Sequence, residues 1–272
     1  MTTKFFPGTI FQTVFFIILG FVIATSIAAP LLFSEKLNSG KICTDLVSIL
    51  IYFIVMAILI LIAYIVNSRR KLYYNFCFKL KNLRLIPLML LLLFSFQLGL
   101  NLPFQKLLFT LFNIKIVDSN YSWLHISSAL ILAPFLEELL FRGIIYKGLR
   151  SSYSAKHSIL ISAIIFGVFH GQPSMIPGAI FFGLFFGYVY YKTNSLGMTV
   201  ILHFSTNLFG FVGSFLNLRF GNKDFKVISD YYGNFSLFLI VALFLVFLLS
   251  VYYLMNSFKK INFFDSSMSA YL

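Results

Sequence analysis

The chain has 272 residues, 60% of them hydrophobic, with 36 phenylalanines and only 11% charged side chains. Its mean hydropathy is +0.92. This composition excludes a soluble globular domain, and the absence of an alternating strand pattern excludes a membrane barrel. The net charge of +13 sits in short loops between apolar runs, as it does in the cytoplasmic loops of membrane proteins. A nucleic-acid footprint needs a basic face on a polar folded domain, and no segment offers one.

In chain order, eight apolar segments are predicted to span the membrane as helices: 9–33, 44–66, 84–112, 122–150, 157–171, 175–191, 196–216 and 235–257. The fold class is therefore an all-α bundle of about eight transmembrane helices. Met1–Pro30 has the charged start and small residues of a secretory signal, but its apolar part is too long, so it reads as a first span. The third segment is interrupted by Asn101-Leu102-Pro103 and is expected to be a span followed by an interfacial helix. The loop after the second segment carries Arg69, Arg70, Lys71, Lys79, Lys81 and Arg84 with no acid, which places it in the cytoplasm. Lys147, Arg150, Lys156, Lys192, Lys259 and Lys260 then fall on the same side, with both termini cytoplasmic. The outer loop 217–234 mixes both signs of charge, and the tail from Ser257 to Leu272 is polar and expected to be loosely ordered. Cys43 and Cys77 fall on opposite sides and are not expected to pair.

No repeat or soluble linker divides the chain. It reads as one membrane domain: N-terminal helices over 1–121, a helical core over 122–216, and a last helix with its tail over 217–272.

Polar chemistry within the spans is confined to three places. Glu137 and Glu138 are two of only three glutamates in the chain. Carboxylates at bilayer depth cost several kcal/mol each unless paired or wet, so they point to function. Glu138 and Arg142 are one helical turn apart and suit an ion pair, which leaves Glu137 to face something else. Phe166 and His170 share a face of the fifth segment, and His203 and Asn207 share a face of the seventh. Glu137 lies about 15 Å of helix from Lys147, and His203 is at similar depth measured from Lys192. The hairpin around Ser151–Ser154 brings Glu137 and His170 level. Taken singly, a buried histidine more often satisfies a neighbour, and an intramembrane Asn is often interhelical glue. His125 and His157, near segment ends, are left to that reading.

Convergence of the three groups predicts water activation. A carboxylate held away from bulk water serves as general base, an imidazole shares the water's proton, and a second imidazole with an amide suits an oxyanion. Alternatively, Glu137, His170 and His203 form a zinc-ligand set, although the His-Glu-x-x-His spacing is missing.

The motifs Glu-Glu-x-x-x-Arg (Glu137–Arg142), Phe-x-x-x-His (Phe166–His170) and His-x-x-x-Asn (His203–Asn207), in this order, resemble those of the CAAX prenyl protease and bacteriocin-processing (CPBP, or Abi) family of intramembrane proteases. The resemblance covers about 122–216. It implies an endopeptidase with Glu137 and His170 acting on water, His203 and Asn207 at the oxyanion, and Glu138, Arg142 and Phe166 in support. The family was long described as metalloproteases; a metal-independent glutamate mechanism is the one favoured here, with zinc as the alternative. The expected partners are the lipid bilayer and a peptide or membrane-protein substrate, of the kind met in bacteriocin or pheromone maturation or self-immunity. The expected location is a bacterial plasma membrane. Two readings from other classes remain: a non-catalytic immunity or scaffold protein that binds a bacteriocin or a sensor kinase, and a proton-coupled transporter. The second is disfavoured by the lack of a duplicated half.

Overall fold

The structure, a computed structural model, describes residues 4–32, 41–112, 122–220 and 233–260. Most of the predicted outer loop and tail lie outside these residues. Among the described residues the chain forms eight long helices: α1 (Ile10–Leu32), α2 (Lys41–Arg69), α3 (83–111), α4 (Trp123–Arg150), α5 (Ala155–Phe169), α6 (Ile176–Thr193), α7 (Leu196–Phe220) and α8 (Ser236–Lys260). They coincide with the eight apolar segments of the sequence. Among the described residues, α1, α2, α3, α4 and α8 are long and apolar enough to cross a membrane, and α5 is shorter. A 15-residue α5 rises only about 22 Å, less than the ~30 Å of a hydrocarbon core.

The helices are regular where side chains allow it and widened where proline intervenes. Pro103 does not break α3: Gln97–Asn101 take i→i+5 bonding, with the Leu102 N–H reaching Gln97 O, and the helix continues as Leu102–Leu111. This replaces the predicted span-plus-interfacial-helix arrangement, because a wide turn absorbs the donor that proline lacks. Pro134 in α4 is met in the same way, with a wide turn over Ser128–Leu132. Shorter signals fix other ends. Ser154 caps α5 by accepting the His157 N–H, and its hydroxyl lies 2.7 Å from His157 Nδ1. Asn194 closes α6 in the left-handed region, and Ser195 accepts the Met198 N–H to open α7.

α4 lies at the centre, packed against α2, α5, α6 and α7. On one side of it Phe16, Val55, Met56, Leu59 and Phe141 form a buried cluster. On the other, Met89, Leu93, Phe186, Met198 and Leu202 form a second. α5 and α6 approach closely through small residues: a Cβ on Gly183 would stand 2.9 Å from Ala163 Cα, and one on Gly167 would run into Ile180. Residues 72–82 form no helix or strand and tie the bundle together at its basic end. There Cys77, a free thiol, accepts the Leu196 N–H through its carbonyl (2.8 Å), and Lys79 O accepts Ser195 Oγ–H (2.7 Å). The N-terminal residues fold back on the same end, where Asn67 exchanges hydrogen bonds with both backbone groups of Phe6.

Candidate active site

The carboxylate-bearing turn Ala133–Glu138 sits between two stretches of i→i+5 bonding, Ser128–Leu132 before it and Leu139–Tyr146 after it. Such wide turns shift the phase of a helix and recur at functional positions. Here they flank the two glutamates, which lie where the two apolar clusters meet.

Glu138 has no exposed surface, and Arg142 is 1% exposed. Arg142 Nη1 donates to Glu138 Oε1 at 2.8 Å, and Nη2 donates to the Gly183 carbonyl at 3.1 Å. The guanidinium lies over the Phe166 ring at 4.7 Å and near Phe186 at 5.5 Å, which gives a desolvated cation aromatic faces as well as hydrogen bonds. The same Glu138 Oε1 faces His203 Nδ1 at 2.9 Å. A carboxylate only accepts, so Nδ1 carries the hydrogen, and Nε2 points away from Glu138. Glu138 therefore serves two partners from two helices, one more than the ion pair foreseen in the sequence. The His203 ring stacks on Phe186, centroids 5.3 Å apart, with Phe166 edge-on at 5.8 Å.

Glu137 points elsewhere, as its offset around the helix requires. Its Oε1 accepts from Tyr52 Oη at 2.9 Å. Its Oε2 lies 3.8 Å from His203 Nε2 and is buried with no hydrogen-bond partner among the described residues, as is Glu138 Oε2. Buried polar atoms of this kind mark places that water or a ligand group fills. Glu137, Tyr52 and His170 line one cavity of ≈ 280 Å³. His170 follows the last residue of α5, and its Nδ1 is 2.9 Å from the Phe166 carbonyl. A carbonyl accepts, so this imidazole too carries its hydrogen on Nδ1 and keeps Nε2 free. Phe166 thus holds His170 through its backbone and packs on both histidines through its ring, centroid 4.8 Å from His170.

Asn207 is placed differently from its neighbours. Its Nδ2 donates to the Ala129 carbonyl at 2.9 Å. That carbonyl is an orphan of the wide turn: its i+5 residue is Pro134, which has no N–H, and the Ala133 N–H goes to Ser128 O. Asn207 fills the gap and fixes α7 against α4. The residue that sequence reasoning missed is Tyr52. A tyrosine hydroxyl within an otherwise apolar stretch of α2 was the available signal.

The zinc alternative needs Glu137, His170 and His203 to point at one spot. Among the described residues no group of three or more His, Cys, Asp or Glu side chains is placed to hold a metal ion.

Compared with known families, residues 119–209 match the family model described as Type II CAAX prenyl endopeptidase Rce1-like. This stretch holds all three motifs and agrees with the resemblance they carry; it supports an intramembrane protease. Comparison with curated proteins and with solved structures gives no significant match.

Removing Arg142 alone strands the Glu138 charge in the bundle. Arg142→Met is expected to cost about 3–5 kcal/mol of stability, and the double variant Glu138→Gln/Arg142→Met considerably less. Thermal unfolding of the two proteins in one detergent checks this.

Proposed function

We propose that the chain is an intramembrane endopeptidase that hydrolyses a peptide bond of a peptide or membrane-associated protein, with Glu137 as general base. The observation that carries this reading is the state of Glu137. One oxygen is fixed by Tyr52, the other is buried without a donor among the described residues, and the carboxylate shares a cavity with a histidine whose Nδ1 is held by the Phe166 carbonyl.

In the proposed reaction, water in the cavity gives a proton to Glu137 Oε2 while its oxygen bonds to the substrate carbonyl carbon. The C=O electron pair moves onto the carbonyl oxygen. His170 Nε2 accepts the water's second hydrogen and so orients the nucleophile. Glu137 then returns its proton to the nitrogen as the C–N bond breaks. For the oxyanion, two donors are proposed. One is His203 Nε2, which donates when both ring nitrogens carry a hydrogen. The other is the second N–H of Asn207, the first being given to Ala129. Glu138 and Arg142 orient His203, and Phe166 orients both imidazoles. The proposed substrates are peptides of the bacteriocin or pheromone class, or a membrane protein in self-immunity, rather than the prenylated proteins for which the family is named.

Glu137→Gln preserves shape and an acceptor for Tyr52 but removes the base. Turnover is expected to fall by a factor of about 10²–10⁴ with unchanged thermal unfolding. The readout is the set of peptides accumulating in cells that express either form, followed by cleavage of one of them in proteoliposomes. A Glu137→Gln protein that still protected its host would instead support a non-catalytic immunity or scaffold protein.

Tyr52→Phe keeps the ring and loses one hydrogen bond to a charged group, worth about 1.5–3 kcal/mol. Steady-state kinetics should show kcat lowered roughly 10- to 100-fold with KM little changed. Exhaustive chelation should leave activity intact, with no stoichiometric zinc by elemental analysis. Activity lost on chelation and restored by zinc would overturn the metal-free mechanism.

A further inference from the structure

The lining of the cavity beside Glu137 is of two kinds. Tyr52, Glu137 and His170 are polar, and Phe21 of α1, Ile51 and Val55 of α2, and Phe169 of α5 are apolar. Phe169 closes the back: its ring meets Phe21 at 5.5 Å and Phe141, which is fully buried, at 5.5 Å. The cavity reaches the surface between α1 and α2, where Phe21 is 39% exposed and Ser48, also in the lining, is exposed. Every apolar wall except Phe169 comes from α1 and α2, outside the 119–209 stretch that matches the family.

We infer that this recess is a side-chain pocket that selects substrates with one bulky apolar residue, such as Phe, Leu or Ile, next to the bond to be cut. The inference rests on the peptidase reading above and adds the substrate class. At ≈ 280 Å³ the space lies at the small end of ligand sites, suited to one large side chain rather than to an extended chain. A charged side chain lodged among Phe21, Ile51, Val55 and Phe169 loses hydration that these apolar groups do not replace. A side chain seated there carries its own peptide link toward the wall of Glu137 and His170. The mouth opens on an apolar surface between two membrane-spanning helices, so the peptide reaches it most readily from the bilayer, where apolar residues already reside.

The test uses the full-length protein in proteoliposomes and a pooled set of synthetic, N-acylated peptides that differ at one position. Cleavage sites are read by mass spectrometry. The wild-type protein is expected to cut beside Phe, Leu or Ile over Ala by roughly tenfold or more in kcat/KM, and beside Asp or Lys least of all. Ile51→Trp, which fills the pocket, should shift the Phe-to-Ala ratio of kcat/KM down by roughly tenfold. Ile51→Ala, which widens the pocket, should shift the optimum toward Trp, and it keeps the test informative if the tryptophan variant fails to fold. Cleavage that is indifferent to the varied residue, or a preference that neither variant moves, overturns the pocket and leaves the peptidase reading standing. Absence of any cleavage by the wild-type protein, with Glu137→Gln equally silent, overturns both.

Discussion

One buried oxygen organises the centre of this protein. Glu138 Oε1 takes a hydrogen bond from Arg142 on its own helix and faces the donor nitrogen of His203 on α7. In a medium of low dielectric a charge without partners costs several kcal/mol, and a pair in good geometry does little better than break even against apolar packing. The cluster is therefore poorly explained as a source of stability. What it secures is orientation: once Glu138 is ionised and buried, the guanidinium and the imidazole each have only one place to go. Arg142 carries the constraint to α6, where the Gly183 carbonyl takes its second nitrogen. Three helices that share no regular hydrogen bonds are thereby held in fixed register.

The two histidines show what that register achieves. Each has Nδ1 committed to an acceptor, Glu138 for His203 and the Phe166 carbonyl for His170. Each consequently has its tautomer set and its Nε2 available. One faces Glu137, and the other belongs to the residues around the cavity. Phe166 touches both rings and lies beneath the guanidinium. A smaller residue at that position would leave two imidazoles and a cation without a common support, which gives the aromatic half of the Phe-x-x-x-His pattern a physical reason.

Much of this was legible in the sequence because helical periodicity is a local rule. Residues four apart meet whatever the rest of the chain does, so Glu138–Arg142 and Phe166–His170 follow from spacing alone. The eight helices follow from apolar runs broken by basic loops. What spacing could not give were the contacts between distant segments. Tyr52 reaches Glu137 across 85 positions, from a helix so uniformly apolar that no polar face sets its phase. Asn207 shows the converse. Its spacing from His203 suggests a shared target, and the structure adds a second task, since one of its two N–H groups serves a backbone oxygen that Pro134 left unpaired. Seeing this requires knowing that α4 widens rather than kinks at the proline.

The site is therefore assembled from two sources with different demands. Its charged and hydrogen-bonding groups lie on α4, α5 and α7, within the stretch that matches the family. There, moving one residue would strand a charge or undo a tautomer, so the pattern tolerates little change. The wall that faces them comes mainly from α1 and α2, where the requirement is only bulk and apolarity, and one aliphatic or aromatic side chain can replace another at a cost of about 1 kcal/mol. Tyr52 is the point where the two meet: its ring stands on α2 with Ile51 and Val55, and its hydroxyl ends on the carboxylate. A change in α1 or α2 that moved Tyr52 by an ångström would alter the shape of the pocket and the aim of Glu137 together. On the proposed reading, the fit of a substrate and the readiness of Glu137 as base are coupled through one side chain.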